Sequence, residues 1–172
     1  MKTIKVQKLS DQTFRKYGVY QNLFDNDEMR ARVITESGGA GGFYADLVPL
    51  DFNRAGNLPT ISICHIIKSE KNIVRFLEYH QYTCEGLLPL DDDIIIFVGI
   101  PGRGELTVDK LESFLVPKGT FVKLNPLIVH GSQYPVNNDE AHVVCMLPGR
   151  TFKNDMVARL IQDEAEMAEL VL

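Results

Sequence analysis

The sequence predicts an all-β domain, either a sandwich or a barrel. Short segments rich in β-branched and aromatic residues follow one another from residue 43 to residue 147, with no helical pattern between them. Residues typical of turns separate these segments, for example Pro117-Lys118-Gly119. Many short strands at regular spacing, without intervening helices, are typical of sandwiches and barrels rather than of parallel α/β sheets.

The expected strands fall into a short N-terminal segment and a barrel core of about residues 43–148. The segment Ile94–Ile100 is apolar on both faces, so we expect it to be a covered strand at the centre of the fold. The full set of expected strands is Val6–Leu9, Phe43–Pro49, Thr60–Ile67, Ile73–His80, Gly86–Pro89, Ile94–Ile100, Leu111–Val116, Phe121–Leu124 and Ala141–Leu147.

Helical patterns are expected only near the two ends of the chain. Ser10 is a candidate N-cap for a short helix that carries Phe14 and ends before Gly18. Near the C-terminus, Val157, Leu160, Ile161, Ala168 and Val171 recur at helical spacing. We therefore expect an amphipathic helix over about 155–171, capped by Asn154 or Asp155, that packs on the barrel or on a second subunit.

Composition limits the class of protein and its partners. A chain of 172 residues predicts a single domain, 1–172, and a formal charge of −5 without a basic stripe argues against a nucleic-acid partner. The longest apolar run is far shorter than the ~20 residues that span a bilayer. Three cysteines without a CxxC pair favour reduced thiols and a cytoplasmic location. The glycine-rich stretch 37–42 is expected to be a loop near a pocket mouth rather than a phosphate-binding loop.

A first group of polar residues lies at the end of one expected strand. Glu78 and His80 are two residues apart, so their side chains project to the same face of the strand. A carboxylate and an imidazole together on an inward face are either two metal ligands or a base and its orienting partner. Glu85 returns to the same place if the chain turns near Thr83. The alternative is an outward face on which Glu78 and His80 are solvated.

A second candidate is His130, which ends the apolar segment before Gly131. An isolated histidine in such a place is often only a buried residue with its hydrogen bonds satisfied, and that interpretation stays open here. Two histidine-bearing strands within one β-rich chain favour a shared site instead. His65 and His142 lie on other expected strands, and His142 is expected to be exposed.

These residues resemble a known family arrangement. The order Glu78-x-His80-x4-Glu85, then Pro117-x-Gly119 and a late His130, resembles the two motifs of cupins. The resemblance to the ureidoglycolate lyase family, which has a cupin-type barrel, extends over nearly the whole chain. The stretches that carry it are Leu9-Ser10, Phe14, Tyr17-Gly18, Phe43-Tyr44-Ala45-Asp46-Leu47, Ile61-Ser62-Ile63, Glu78-Tyr79-His80, Leu88-Pro89-Leu90, Phe114, Val122 and His130.

The resemblance implies a double-stranded β-helix that binds a divalent metal and acts as a lyase, converting ureidoglycolate to glyoxylate and urea. It implies a homodimer as the assembly. Geometry and ligand hardness permit nickel, manganese, iron or zinc, and the sequence does not choose among them. The implied metal ligands are Glu78, His80, Glu85 and His130. The implied catalytic residues are Glu78, His80 and His130, and the implied contacts to the small-molecule substrate are Tyr44, His65 and Asn125.

The chain departs from the family pattern at several polar positions. Asp91 stands near an expected lysine, His65 replaces an arginine, Asn125 replaces a histidine, and Gly131 replaces the second histidine of a pair. A neutral histidine holds a carboxylate less well than an arginine does. Two further hypotheses therefore remain, namely a cupin sugar or sugar-phosphate isomerase and a non-catalytic sugar- or metabolite-binding cupin.

Overall fold

The computed structural model describes residues 1–25, 27–29, 43–52, 56–102 and 105–172. The strands are β1 (Lys2–Lys8), β2 (Gly18–Asn22), β3 (Pro59–Ile67), β4 (Asn72–Val74), β5 (Phe76–Tyr79), β6 (Glu85–Pro89), β7 (Ile94–Val98), β8 (Glu112–Val116), β9 (Thr120–Leu124), β10 (His130–Gly131), β11 (Tyr134–Pro135), β12 (Glu140–Pro148), β13 (Val157–Leu160) and β14 (Ala168–Val171). Two single-turn helices, α1 (Asp11–Phe14) and α2 (Thr151–Asn154), and a 3₁₀ turn at Glu164–Glu166 complete the described elements.

The strands form a nearly closed barrel, which confirms the predicted all-β class. One wall is a five-stranded sheet in the order β2-β9-β6-β12-β3, and the other is a six-stranded sheet in the order β11-β7-β8-β1-β14-β4. A three-stranded sheet, β10-β5-β13, lies beside them. Antiparallel pairing dominates, and only β1 pairs in parallel with its neighbours β8 and β14.

Strand β7 shows why two apolar cores exist. Its residues Ile94 and Ile96 contact the barrel core, the cluster between the two large sheets that also contains Leu87, Val122 and Val143. The alternate residues Ile95 and Phe97 contact the outer core on the other face of that strand, together with residues of β5 and β14. All five β7 side chains are buried. The expectation of a covered central strand is confirmed.

The expected short N-terminal helix is present as a single turn, Asp11–Phe14. The side chain of Ser10 accepts a hydrogen bond from the backbone N–H of Thr13, so the predicted N-cap is confirmed. After one turn the chain enters β2 at Gly18, where a Cβ atom would lie 1.8 Å from the carbonyl oxygen of Lys123. A glycine at this position lets β2 approach β9 closely.

The predicted C-terminal helix over 155–171 is wrong. The segment forms β13, the 3₁₀ turn and β14, and these strands pair with β5 and with β1 and β4. The pattern of β13 alternates between half-buried and exposed residues, which is the period of a strand. The barrel leaves backbone N–H and C=O groups unpaired at the edges of its sheets, and this segment pairs with them as a strand. A helix docked in the same place would leave those edge groups without partners. The apolar helix face expected to support a homodimer is therefore absent, and the homodimer stays a prediction.

Smaller differences concern strand boundaries. Residues 43–50 form no strand, although Phe43–Pro49 was expected to be one. The expected strand Ile73–His80 is interrupted at Arg75 and becomes β4 and β5. The glycine-rich stretch 37–42 lies outside the described residues. In the described part of the chain, no helix is long and apolar enough to cross a membrane.

Candidate metal centre

Two consecutive strands bring the first histidine and a glutamate together. His80 directly follows β5, and Glu85 is the first residue of β6, so a short turn separates them. Glu85 lies on the same face of β6 as Leu87, which belongs to the barrel core. The turn thus aims the Glu85 carboxylate into the barrel beside the imidazole of His80.

Strand pairing brings in the second histidine. His130 of β10 is the register partner of Glu78 of β5, so the two residues face each other across an antiparallel pair. Leu77 and Tyr79 on β5 are buried in the outer core, so Glu78 between them projects to the opposite face, toward the barrel interior. The expected inward face of Glu78 and His80 is the one that the fold produces.

Three side-chain atoms converge on one point. Nε2 of His130 is 2.7 Å from Oε2 of Glu85, and Nε2 of His80 is 3.4 Å from the same oxygen. The potential ligand atoms of His80, Glu85 and His130 all lie within 4.8 Å of one another, and the two imidazole centroids are 5.3 Å apart. All three residues are buried, with at most 5% of their surface exposed.

The backbone fixes which nitrogen of each histidine faces this point. Nδ1 of His80 is 2.7 Å from the carbonyl oxygen of Asp155, and Nδ1 of His130 is 2.8 Å from that of Ile128. A carbonyl oxygen can only accept, so each Nδ1 donates a proton and each neutral ring turns the lone pair of Nε2 to the cluster. Metal-binding histidines are usually oriented in this way.

Within the described residues, the same three atoms have no partner that meets hydrogen-bond geometry. Nε2 of His80, Nε2 of His130 and Oε2 of Glu85 are buried and unpaired by hydrogen-bond geometry, although the last two are close enough to form an ion pair. Buried polar atoms without partners are costly, and a cation contacting all three would satisfy them. Two imidazoles and one carboxylate match the ligands of zinc and of other first-row divalent ions, so the residues fit the implied metal.

Electrostatic interactions within the cluster shift the pKa values of Glu85 and His130 in the direction opposite to the effect of burial. Burial alone would raise the pKa of Glu85, but the charge of His130 and the close approach of both imidazoles to its carboxylate lower it to about 2. Burial alone would lower the pKa of His130, but the charge of Glu85 raises it to about 9. Without a metal, Glu85 and His130 therefore form a buried ion pair. The positive charge that a metal ion would supply comes from the protonated His130.

Glu78 lies at the edge of the group. Its Oε1 is 3.9 Å from Nε2 of His130, and Glu78 is not among the three residues whose ligand atoms converge. Burial raises the pKa of its carboxyl group, although the charge of His130 counteracts this effect. A carboxyl group with a raised pKa beside a candidate metal site is suited to proton transfer. The role of Glu78 as a metal ligand stays a prediction.

His65 does not reach the cluster, contrary to its expected role in substrate binding. It pairs with His142 across β3 and β12, and the two rings stack with centroids 4.8 Å apart. Its neighbour Cys64 contacts the barrel core, so His65 projects to the outer face of the sheet, where it forms an ion pair with Glu140. The strand alternation that aims Glu85 inward aims His65 outward.

The other expected substrate contacts lie outside regular strands. Tyr44 is half-buried in the segment 43–50, and Asn125 is exposed in the turn after β9. Asp91, which stands near the expected lysine, forms a surface ion pair with His142. The roles of Tyr44 and Asn125 in substrate binding stay predictions.

Sequence reasoning missed the function of Asp155. Its carbonyl oxygen accepts from His80, and its carboxylate accepts from the backbone N–H groups of Gln81, Tyr82 and Thr83. The sequence indicated a capping residue here, but for a helix that does not form. Capping of a turn 72 or more residues away leaves no local signal in the sequence.

Comparison with known proteins places this geometry in context. A profile of the family described as ureidoglycolate lyase matches residues 1–168. Similar solved structures include a dTDP sugar isomerase from Desulfovibrio desulfuricans G20, with 10% identity, 78% of each chain covered and a TM-score of 0.41. Another is QdtA, a sugar 3,4-ketoisomerase from Thermoanaerobacterium thermosaccharolyticum in complex with TDP, with 15% identity, 62% of this chain and 64% of that chain covered, and a TM-score of 0.34. Among curated proteins, none matches this chain.

Proposed function

Because the chain belongs to the ureidoglycolate lyase family, we propose that it is a metal-dependent lyase that cleaves a C–N bond of a small ureido acid. In the family reaction, ureidoglycolate gives glyoxylate and urea. The observation that carries the metal dependence is the convergence of three buried, unpaired ligand atoms from His80, Glu85 and His130. Nickel, manganese, iron and zinc all suit this set of ligands.

The bound ion would supply Lewis-acid polarisation of a substrate hydroxyl or carboxylate oxygen. His80 and His130 keep their Nδ1 protons on backbone carbonyls, so their rings position the site rather than exchange protons. Glu78 is the carboxylate placed to exchange a proton, since it lies beside the cluster and its pKa is raised by burial.

The proposed reaction balances with Glu78 as the only proton carrier. Glu78 takes the proton of the substrate hydroxyl, and the electrons of that O–H bond form the carbonyl group of glyoxylate. The C–N bond breaks, and its electron pair leaves on the urea nitrogen. Glu78 then returns the proton to that nitrogen, which restores the starting state of the carboxylate.

The decisive experiment measures bound metal and product together. Protein stripped with a chelator is reloaded separately with each of the four ions, and glyoxylate release from ureidoglycolate is followed. We expect His80→Ala, Glu85→Gln and His130→Ala to lose bound metal and turnover. The matched control is His142→Ala, which removes a half-buried histidine from the outer face of the same barrel. Equal turnover by stripped and reloaded protein, or unchanged metal in all three variants, would contradict the proposal.

A sugar or sugar-phosphate isomerase is the second candidate, and one feature favours it. Within the described residues, the ion pairs of the cluster join histidine to glutamate, and neither a lysine nor an arginine takes part. The outward position of His65 removes the expected contact for a substrate carboxylate. A less anionic hydroxy-carbonyl substrate suits such a site. A panel of ureido acids, hydroxy acids and aldoses separates the two reactions, because only an isomerase converts an aldose without releasing a fragment.

A further inference from the structure

A pair of thiols lies in the barrel wall, and neither belongs to the group of candidate metal ligands. Cys64 on β3 and Cys145 on β12 belong to neighbouring antiparallel strands, and their sulfur atoms are 3.5 Å apart. Cys145 belongs to the barrel core and Cys64 packs against it, so both side chains project inward from the same sheet. Neither residue takes part in the reaction proposed above.

We propose that Cys64 and Cys145 are a site of reversible oxidation, at which a hydroperoxide converts the two thiols into a disulfide within one chain. The two thiols already touch, and the strand that carries Cys64 is free to adjust. In the described part of the chain, β3 ends the five-stranded sheet and hydrogen-bonds only to β12.

The register of the two strands sets the movement required. Cys64 pairs with Val143 and Cys145 pairs with Ser62, so the thiols are diagonal neighbours on one face. A disulfide bond is about 2.05 Å long, so the sulfur atoms must approach by roughly 1.5 Å. A disulfide between diagonal positions is strained, and strained disulfides are the more easily reduced ones, which suits a reversible site.

The environments of the two thiols assign different roles to them. Cys64 is half-buried and within reach of solvent, whereas Cys145 is only 2% exposed. The contact between the two sulfur atoms lowers the pKa of Cys64 and raises the pKa of Cys145. The thiolate is the reactive form, so Cys64 is the residue that attacks the peroxide.

The chemistry balances with one hydroperoxide per disulfide. The Cys64 thiolate attacks an oxygen of the peroxide, and the O–O bond breaks. The leaving oxygen takes up the proton that Cys64 released on ionising and departs as an alcohol or as water. This step converts Cys64 to a sulfenic acid. The sulfur of Cys145 then attacks the sulfur of Cys64, the S–S bond forms, the S–O bond breaks, and water leaves with the proton of Cys145. Two thiols are oxidised and one peroxide is reduced.

The third cysteine is an internal control. Cys84 is buried, its sulfur is 3.4 Å from the carbonyl oxygen of Asp51, and burial raises the pKa of its thiol. A buried thiol with a raised pKa resists oxidation. Nonspecific oxidation of the protein would consume Cys84 as well, whereas the proposed site spares it.

The test treats the folded, metal-stripped full-length protein with hydrogen peroxide and maps the products by mass spectrometry. We expect the loss of two of the three free thiols, a decrease in mass by two hydrogen atoms, and one peptide pair linked through Cys64 and Cys145. Dithiothreitol should restore the starting mass. Mapping the unmodified chain makes this result independent of how any variant folds, and metal stripping makes it independent of the proposed lyase reaction.

Variants then assign the order of the two steps. Cys84→Ser should form the disulfide as the unmodified chain does. Cys145→Ser should stop at a sulfenic acid on Cys64, which dimedone traps. The proposal is overturned if Cys84 is oxidised as fast as Cys64, if the disulfide links two chains, or if Cys64 and Cys145 stay reduced under peroxide.

Discussion

Asp155 and His80 form the contact on which the geometry of the candidate metal centre depends. The carbonyl oxygen of Asp155 is 2.7 Å from Nδ1 of His80. The carboxylate of Asp155 accepts hydrogen bonds from the backbone N–H groups of the three residues that follow His80. One residue from a distant segment thus fixes both the ring of His80 and the turn that leads to Glu85. The candidate metal ligands on either side of this turn, His80 and Glu85, are positioned together.

Asp155→Ala should weaken metal binding and lower stability. Three backbone donors lose their acceptor, and each unsatisfied donor costs about 1–3 kcal/mol where it stays buried. Since the turn also rebinds water, we expect a loss of roughly 3 kcal/mol in the free energy of unfolding and a 10–100-fold weaker metal affinity. Urea denaturation and competition with a chelator measure the two effects.

The matched control for this variant is Asp163→Ala. Asp163 also caps a turn through its carboxylate, but that turn is exposed, and within the described residues this carboxylate accepts only from the N–H of Ala165. We expect a loss below about 1 kcal/mol and unchanged metal affinity. Asp155→Asn keeps one acceptor oxygen and should lie between the two. If the metal affinity of Asp155→Ala were unchanged, the proposed role of Asp155 in positioning the site would be contradicted.

Glu78→Gln should separate turnover from metal binding. Glu78 is close to His130 but is not among the three residues with converging ligand atoms, so the amide should leave the bound metal largely in place. Glutamine cannot carry the transferred proton, and loss of general acid–base catalysis typically costs 10²–10⁴-fold in rate. Metal content and kcat are measured on the same preparation. Parallel loss of metal and turnover would instead identify Glu78 as a fourth ligand.

The stability of the metal-free protein should depend on pH through the Glu85–His130 pair. The pKa of His130 is raised to about 9, so its contribution is complete below its ordinary value of 6.5 and is lost as the pH rises through 9. The pKa of Glu85 is lowered to about 2, so its contribution is complete above 4.5 and is lost as the pH falls toward 2. The pair should therefore stabilise the protein most between pH 4.5 and 6.5.

The loss above pH 6.5 should be on the order of 3 kcal/mol, the free energy that corresponds to the shift of the His130 pKa. Urea unfolding of stripped protein across this range measures it. His130→Gln should abolish this part of the profile. Metal affinity should change in the opposite direction, rising about tenfold per pH unit up to about pH 9, because binding displaces the His130 proton. A flat stability profile above pH 6.5 would show that the pair is not charged in the folded protein.

The barrel was predictable from sequence because its strands carry local signals. Strand β7 is apolar at every position, and both of its faces are covered in the structure. The C-terminal segment misled because the spacing of Val157, Leu160 and Ile161 fits a helix, while its pairing partners lie more than 70 residues away on β5. Pairing with an open strand edge is a tertiary effect that local periodicity cannot report.

The candidate site was partly predictable for a related reason. Strand alternation placed Glu78 and His80 on one face, and a short turn returned Glu85 to it. The alternation of side chains along β3 does not determine which of its two faces meets the barrel interior. His65 was therefore expected in the site, whereas the structure has it on the outer face. The role of Asp155 depends on a contact between distant segments, for which the sequence holds no local pattern.

Gly131→Ala should destabilise the protein, because the structure leaves no room for a side chain at this position. A Cβ atom at Gly131 would lie 2.4 Å from the carbonyl oxygen of Phe76 and 2.8 Å from Cζ of Phe97. This carbonyl oxygen belongs to the first residue of β5, and it cannot move without disturbing the pairing of β10 with β5. We therefore expect at least the ~1–3 kcal/mol typical of overpacking, together with weaker metal binding through the adjacent His130.

Gly102→Ala is the matched control, because an ideal Cβ atom there has no described atom within 4 Å. Its free energy of unfolding should change by less than about 0.5 kcal/mol, and its metal affinity should be unchanged. Both variants are compared by urea denaturation and by chelator competition. If Gly131→Ala were as stable as the unmodified chain, β10 would lie farther from β5 than the structure has it, and a histidine at position 131 would be sterically allowed. If it is destabilised as expected, close contact between these two strands excludes a side chain larger than glycine at position 131.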